Sequence, residues 1–404
     1  MVKTGIVPLA WGGLLLVSLL LIGLVVWGLW SGPVYSSDTT RLFEENFLYR
    51  AEHYQRLKLG VGILRNLLTW GILLAAGIFS YKILVVLSPP PVCKVILAVL
   101  LLFLVLKLFL FPLEYYSGFL LEKEFGLASP HFLSWLGDYL KSTVLYLGVG
   151  VLLFSGLYYL TVYFPSRWWW MAGILFALFT VLSSFLYPVL IAPMFYRFEP
   201  LQEEGLKEDI KDMAERAGIE VEEVLVADAS RRTARANAFF AGLGSSQRIV
   251  LYDNLVEGFS EEEVKVVVAH EMAHWKHSHV VKGLVAGALA GLLALYLLYK
   301  LLGSMGLTGD LRMLPWALLF FSLVSFLSQP LQNSLSREWE RQSDREALHL
   351  TGTPAAQADL KINLAQANLA QVEPHSAVRA IYYSHPPLIE RIRMAREYGQ
   401  EERP

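Results

Sequence analysis

The sequence predicts a mainly α, integral-membrane fold: seven transmembrane helices with one small cytoplasmic α+β domain. Three observations predict it. Hydrophobic residues fill 55% of the 404 positions and charged residues only 17%, giving a mean hydropathy of +0.44. Seven stretches reach the roughly 20 apolar residues that a helix needs to cross a bilayer. Most of the remaining charge falls in two blocks, 192–279 and the tail after 331.

The seven spans run at about 9–30, 62–87, 93–113, 142–164, 168–191, 280–302 and 312–330, with Trp27, Trp30, Trp168, Trp169 and Trp170 at their ends as interface anchors. Leu9–Trp30 is too long for a cleavable leader and lacks a small-residue cleavage site, so a retained anchor is expected. Segment 114–141 is amphipathic and aromatic and is expected to lie along the interface. Pro188 and Pro193 break the end of the fifth span, 195–201 leads out of the membrane, and 202–217 reads as a charged amphipathic helix. Val221–Val226 reads as a strand, and Ala236–Ala241 and Gln247–Leu251 as two strands joined by the turn Gly242-Leu243-Gly244. Such a pair is either an ordinary hairpin or an edge that takes a peptide by strand addition. The chain divides into a membrane region, 1–191, and a second domain, 192–404, that contains the last two spans.

Lys and Arg set the orientation. Arg41, Arg50, Arg56 and Lys58 follow the first span, whereas only Lys3 precedes it. The positive-inside rule then puts the N-terminus outside and the 192–279 domain and C-terminal tail in the cytoplasm. Arg65 and Lys107 fall within spans near cytoplasmic ends, where snorkelling is expected. The net charge of −2 argues against a nucleic-acid partner. Cys93, the single cysteine, rules out an internal disulfide and a thiolate cluster, and is expected to be a small buried hydrophobe.

One stretch carries chemistry. Val266–Val280 contains His270-Glu271-Met272-Ala273-His274, an HExxH pattern. On a helix, positions four apart share a face, so both imidazoles can reach one ion with Glu271 beside it. Neutral histidine suits Zn2+, and a catalytic zinc takes three protein ligands and leaves one position open. A carboxylate next to the first ligand can accept the proton of an attacking water. Ser260-Glu261-Glu262-Glu263 starts the helix as a capping box.

The third ligand must come from elsewhere: His277, His279, His349, His375, His385 or an acid after the last span. Ser336–Asp344 reads SREWERQSD, with Glu340 and Asp344 one turn apart. If Glu340 binds the ion, Asp344 can orient a histidine ligand. His270 and His274 precede the sixth span and Glu340 follows the seventh. An antiparallel hairpin of spans therefore returns all three to one membrane face. Glu338 is the rival, about 200° around the helix from Glu340. His277 and His279 point elsewhere on the helix and are expected to be interface residues.

These motifs resemble the integral-membrane zinc proteases that include type I CAAX prenyl proteases and HtpX. The resemblance rests on HEMAHWKHSH (270–279), SREWERQSD (336–344), SHPPL (384–388) and RANAFFAGLGSSQRIVLYDNLVEG (235–258). EYYSGFLLEKEFGL (114–127) and YPVLIAPMFYRFEPL (187–201) favour the CAAX-type branch. It implies seven helices around an intramembrane chamber, with a gluzincin-type zinc metalloprotease domain at the cytoplasmic end. His270, His274 and Glu340 would be ligands of one zinc ion, Glu271 the general base, and Asp344 the acid behind a ligand. His385 would steady the oxyanion, and Asn237 and Ala238 would sit where substrate backbone pairs. Ala273 stands where glycine is usual and Ser343 where alanine is usual; both are small, so altered packing with an intact site is expected.

The expected activity is a membrane-embedded zinc metalloendopeptidase acting on peptide or protein substrates, lipid-modified ones among them, at the bilayer surface. An HtpX-like quality-control protease for misfolded membrane proteins is one alternative. A transporter or channel with a structural zinc is another, and that reading predicts a closed four-ligand site.

Overall fold

The computed structural model describes residues 6–84, 91–128, 131–241 and 248–401. Among them, seven helices are long and apolar enough to cross a membrane. Helices α1 (Ile6–Ser31), α2 (Glu45–Leu84), α3 (Pro91–Tyr115), α4 (Phe132–Tyr163) and α5 (Trp168–Leu186) come first. Helix α6 (Glu204–Ala217) and the short strands follow. Then come α7 (Glu261–Lys276), the spanning pair α8 (His279–Met305) and α9 (Met313–Thr351), and α10 (Pro354–Asn368), α11 (Ser376–Tyr382) and α12 (Leu388–Glu401).

Six of the spanning helices close a ring in which each packs on two neighbours, in the order α2, α3, α4, α5, α8, α9 and back to α2. Helix α1 packs against α9, α2 and α8. Trp70, Leu73, Leu298, Leu319, Leu323 and Phe326 form the buried seam of the bundle. A dispersion-packed interface of this kind is what apolar helices use where lipid gives no hydrophobic drive.

Segment 114–141 divides between two helices. Helix α3 runs on through a π turn, Tyr116–Leu120, to Glu124, and α4 starts at Phe132. Lys107 of α3 has a partner. Its Nζ lies 3.0 Å from Glu114 Oε2, which also accepts from Tyr139 Oη at 2.8 Å. The pair runs along one helix, two turns apart, so the charge at Lys107 is compensated within its own element. Cys93 is exposed rather than buried.

The polar part is a four-stranded sheet of order β1-β2-β4-β3: β1 Phe198–Pro200, β2 Glu223–Ala227, β3 Ala238–Ala241 and β4 Arg248–Tyr252. The predicted hairpin is present, with β3 antiparallel to β4; its turn, 242–247, lies outside the described residues. Strand β2 pairs parallel with β4, and β1 antiparallel with β2. Strand β3 is thus an edge. Ile249, Leu251, Val264, Val268, Ala269 and Met272 bury the sheet against α7. Helix α7 starts with the capping box, Ser260 accepting from Glu263 N–H and Glu263 from Ser260 N–H. It ends at Lys276, and Ser278, with a φ of 55°, turns the chain into the sixth span. Helix α9 carries the seventh span and its polar extension as one unbroken rod, despite Pro330.

Candidate active site

Two rods, α7 and α9, pack side by side and bring one cluster together. His270 and His274, one turn apart on α7, place their Nε2 atoms 3.2 Å apart. Glu340 on α9 faces both, with Oε2 3.1 Å from His270 Nε2 and Oε1 3.3 Å from His274 Nε2. His270 and Glu340 are buried and His274 is partly so.

This triangle fits a small divalent ion. Tetrahedral donors at roughly 2.0–2.1 Å from zinc stand about 3.3–3.4 Å from one another, close to the spacing seen. Glu340 Oε2 is buried and takes no well-directed hydrogen bond from the described residues, although His270 Nε2 is 3.1 Å away. Two imidazole nitrogens and two carboxylate oxygens thus converge in one cluster. Together they form a potential metal-binding site, with three donors in the group among the described residues. Glu338 stays out of it: its side chain is exposed and accepts from Arg341 Nη1 at 3.2 Å.

Behind His270 lies a buried charge network. Asp344 Oδ1 is 3.0 Å from His270 Nδ1. Asp344 has no exposed surface and accepts two hydrogen bonds from Arg391, Nε to Oδ2 at 2.6 Å and Nη2 to Oδ1 at 2.7 Å. Lys361 Nζ sits 3.2 Å from the same carboxylate. Burial alone would depress the His270 imidazole, but the Asp344 and Glu340 carboxylates outweigh it and raise its pKa. Desolvation lowers Lys361, and Arg391 adds to that, against the pull of Asp344. Helices α10 and α12 supply Lys361 and Arg391, which sequence reasoning missed.

His274 is held differently. Its Nδ1 is 3.0 Å from His279 Nδ1, and His279 Nε2 is 3.1 Å from Gln342 Oε1. Gln342 Nε2 continues to His277 Nδ1 at 3.0 Å, and His277 Nε2 lies 3.3 Å from Glu346 Oε2. His279 is buried and stacks on Trp339. His277 and His279, at the turn into the sixth span, thus form a chain behind the second imidazole rather than pointing away from it. Of the other candidates, His349 lies beside Tyr398 and His375 caps α11.

Glu271 is half-buried between the two histidines, and desolvation raises its carboxyl above the usual range, against the pull of His270 and His274. His385 Nε2 stands 3.4 Å from Glu340 Oε1. Its side chain is 56% accessible, yet the surrounding protein still desolvates it and pushes the imidazole below its ordinary value. It is thus neutral near pH 7 and keeps an N–H to donate. Ala273 and Ser343 are both fully buried where the rods meet. Asn237 is exposed just before β3, and Ala238 begins that edge strand, which packs on α7.

The network makes a stability prediction. Arg391→Met leaves a buried carboxylate short of its main partner, an uncompensated charge that costs about 3–5 kcal/mol. Arg393→Met, which removes an exposed pair with Asp38, should cost under about 1 kcal/mol. Thermal unfolding of the two variants in detergent checks the difference; equal midpoints would reject it.

Comparison with known proteins places this geometry. The profile of Peptidase family M48 matches residues 200–399. That of the CAAX prenyl protease N-terminal region, five membrane helices, matches 38–197. An uncharacterized metalloprotease of Bacillus subtilis, YhfN, is 30% identical over 302 residues, 72% of this chain and 71% of that protein. CAAX prenyl protease 1 of Saccharomyces cerevisiae is 30% identical over 316 residues, 72% of this chain and 69% of its own. The crystal structure of S. mikatae Ste24p superposes with a TM-score of 0.82 at 24% identity, covering 95% of this chain and 98% of that one, a likeness of fold.

Proposed function

The chain belongs to peptidase family M48, and from that premise we propose that it is a zinc endopeptidase that cuts membrane-associated peptides near prenylated C-termini. That it is a membrane-embedded metalloprotease related to CAAX prenyl proteases follows from the family and from the buried His/His/Glu cluster. The observation that carries the finer reading is the convergence of the His270 and His274 Nε2 atoms with the two Glu340 carboxylate oxygens, at separations of 3.1–3.3 Å that suit zinc.

His270, His274 and Glu340 would hold the ion. When bound, zinc would supply Lewis acidity to the scissile carbonyl and to the attacking water. Glu271 accepts the proton of that water and returns it to the leaving amine. His385, neutral and carrying an N–H, donates to the oxyanion as charge develops on it. Asp344 holds the His270 ring through Nδ1, which leaves Nε2 free for the metal. Strand β3, from Ala238 on, offers the edge along which substrate backbone pairs, with the exposed Asn237 side chain just before it.

The Lys and Arg distribution supports a cytoplasmic protease domain and C-terminus with an external N-terminus. The closed order of packing around the six helices supports the reading of a chamber for a lipid-attached segment. The two family matches meet between 197 and 200, which supports a division into 1–191 and 192–404.

Cleavage of farnesylated and unmodified peptides of one sequence tests the substrate class. A buried prenyl chain is worth about 0.8 kcal/mol per methylene, so the farnesylated peptide should be preferred by at least roughly tenfold in kcat/KM. Equal cleavage, together with broad cutting of unfolded membrane proteins, would favour the quality-control reading instead.

A further inference from the structure

Strand β3 has one committed side. Tyr252 N–H donates to the Asn237 carbonyl at 2.9 Å. Just upstream, Asn254 Nδ2 donates to the carbonyls of Arg235 at 3.2 Å and Thr233 at 2.7 Å. Backbone groups alternate along an extended chain, so those of Ala234, Ala236 and Ala238 face the other way. On that side Ala234 N–H donates to the Leu127 carbonyl at 3.1 Å, and the Ala236 carbonyl accepts from Asn368 Nδ2 at 3.5 Å. The open edge therefore begins at Ala238 and is closed upstream of it.

A peptide added antiparallel, the stronger pairing, would run its C-terminus toward that closed end. Beyond the residue opposite Ala238 it has about two residues of room, roughly 7 Å at 3.3 Å each, before it meets Leu127 and Asn368. A charged cluster stands there. Glu122 Oε1 accepts from Tyr54 Oη at 2.6 Å, Lys58 Nζ at 2.9 Å and Arg235 Nη2 at 3.1 Å, and Arg235 Nη2 is 2.8 Å from Oε2. Lys58 also donates to Tyr54 Oη at 2.8 Å. Glu122 sits beside the stop, for the Leu127 N–H donates to the Glu122 carbonyl at 2.7 Å. Two cations share one carboxylate, so the cluster carries an excess positive charge. Arg235 Nε is buried without a hydrogen-bond partner among the described residues. The Lys58 and Arg235 side chains keep 36% and 32% of their surface open.

We propose that Arg235 and Lys58 receive the free C-terminal carboxylate of the substrate, which makes this cluster the ruler that sets how far from its end a chain is cut. The inference rests on the protease reading above and names the end group that the site selects. It also sets direction, since a parallel peptide would present an ammonium group to two cations, a repulsive arrangement.

The test uses the full-length zinc-loaded protein in zwitterionic vesicles, so that lipid charge cannot stand in for the carboxylate. Two peptides of one sequence are compared, one ending in a free acid and one in an amide. The wild type should favour the acid by about tenfold in kcat/KM, the scale of one charge-assisted hydrogen-bonded pair. Arg235→Gln should bring that ratio close to one. Lys58→Gln should lower it as well and decides the matter if the arginine variant does not fold. The ratio is internal to each variant, so a partial loss of folded protein does not move it. Calorimetric binding of short acid and amide peptides gives a second readout independent of turnover. Equal cleavage and equal binding of acid and amide by the wild type would overturn the inference and leave the protease reading intact. So would a preference that survives both substitutions. Selective binding of the acid with no cleavage of either peptide would uphold the carboxylate site and count against the protease reading.

Discussion

Glu271→Gln is expected to lower peptide cleavage by about 10³-fold or more, with the metal content of the purified protein unchanged. The substitution keeps the shape of the side chain and removes its capacity to accept a proton. Removing a general base costs roughly 10²–10⁴-fold, and a base that also serves as the later acid falls toward the upper part of that range. Metal should stay because Glu271 is not one of the three converging atoms; those belong to His270, His274 and Glu340. Metal analysis beside a cleavage assay separates the possible results. Unchanged cleavage would remove Glu271 from the mechanism. A transporter with a structural zinc predicts a closed four-donor site and indifference to this change, whereas the group here has three donors among the described residues.

The parts of this site that were legible in the sequence are those set by local geometry or by chain topology. His270 and His274 are four apart on a capped helix, which alone fixes their common face. Glu340 could be placed from far along the chain because a hairpin of spans must return to the face it left. The unbroken α9 then carries the carboxylate rigidly to the histidines. Arg391 and Lys361 were missed for a different reason. Each lies in a helix with other polar residues, where a charge reads as solvent-facing. Only the fully buried Asp344 between α9, α10 and α12 draws them inward.

The same limit explains the misread elements. Segment 114–141 looks interfacial because Glu114, Tyr115, Tyr116 and Tyr139 lower its hydropathy. In the fold, Glu114 accepts from both Tyr139 and Lys107, so these polar residues pair with one another across two helices, which local pattern does not reveal. Strand β1 is three residues long and exists through its pairing with β2, a partner that local pattern does not reveal. His277 and His279 fall off the face of the HExxH pair, as helical spacing requires. The turn at Ser278 then swings His279 back behind His274, and no period could anticipate that change of direction.

Glu340→Ala should remove the metal and with it all measurable cleavage, whereas Glu338→Ala should leave both intact. The two acids lie half a turn apart on one helix, so sequence could only make them rivals. Their surroundings now differ in kind. Glu340 is 6% exposed and its two carboxylate oxygens stand 3.1 and 3.3 Å from the two imidazoles. The Glu338 side chain is 64% exposed and pairs with Arg341. Losing one of three ligands leaves two histidines, too few for a catalytic zinc site. It also opens a cavity beside Arg391, whose Nη2 lies 3.6 Å from Glu340 Oε2. Metal affinity should therefore fall by far more than the 10–100-fold typical of losing a supporting group such as Asp344. Metal content after dialysis against a mild chelator measures this directly. Glu340→Gln serves as the control for packing, since it keeps the volume and loses the charge. If Glu340→Gln and Glu340→Ala both retained stoichiometric metal, the carboxylate would not be a ligand, and the histidine pair would need another partner for its ion.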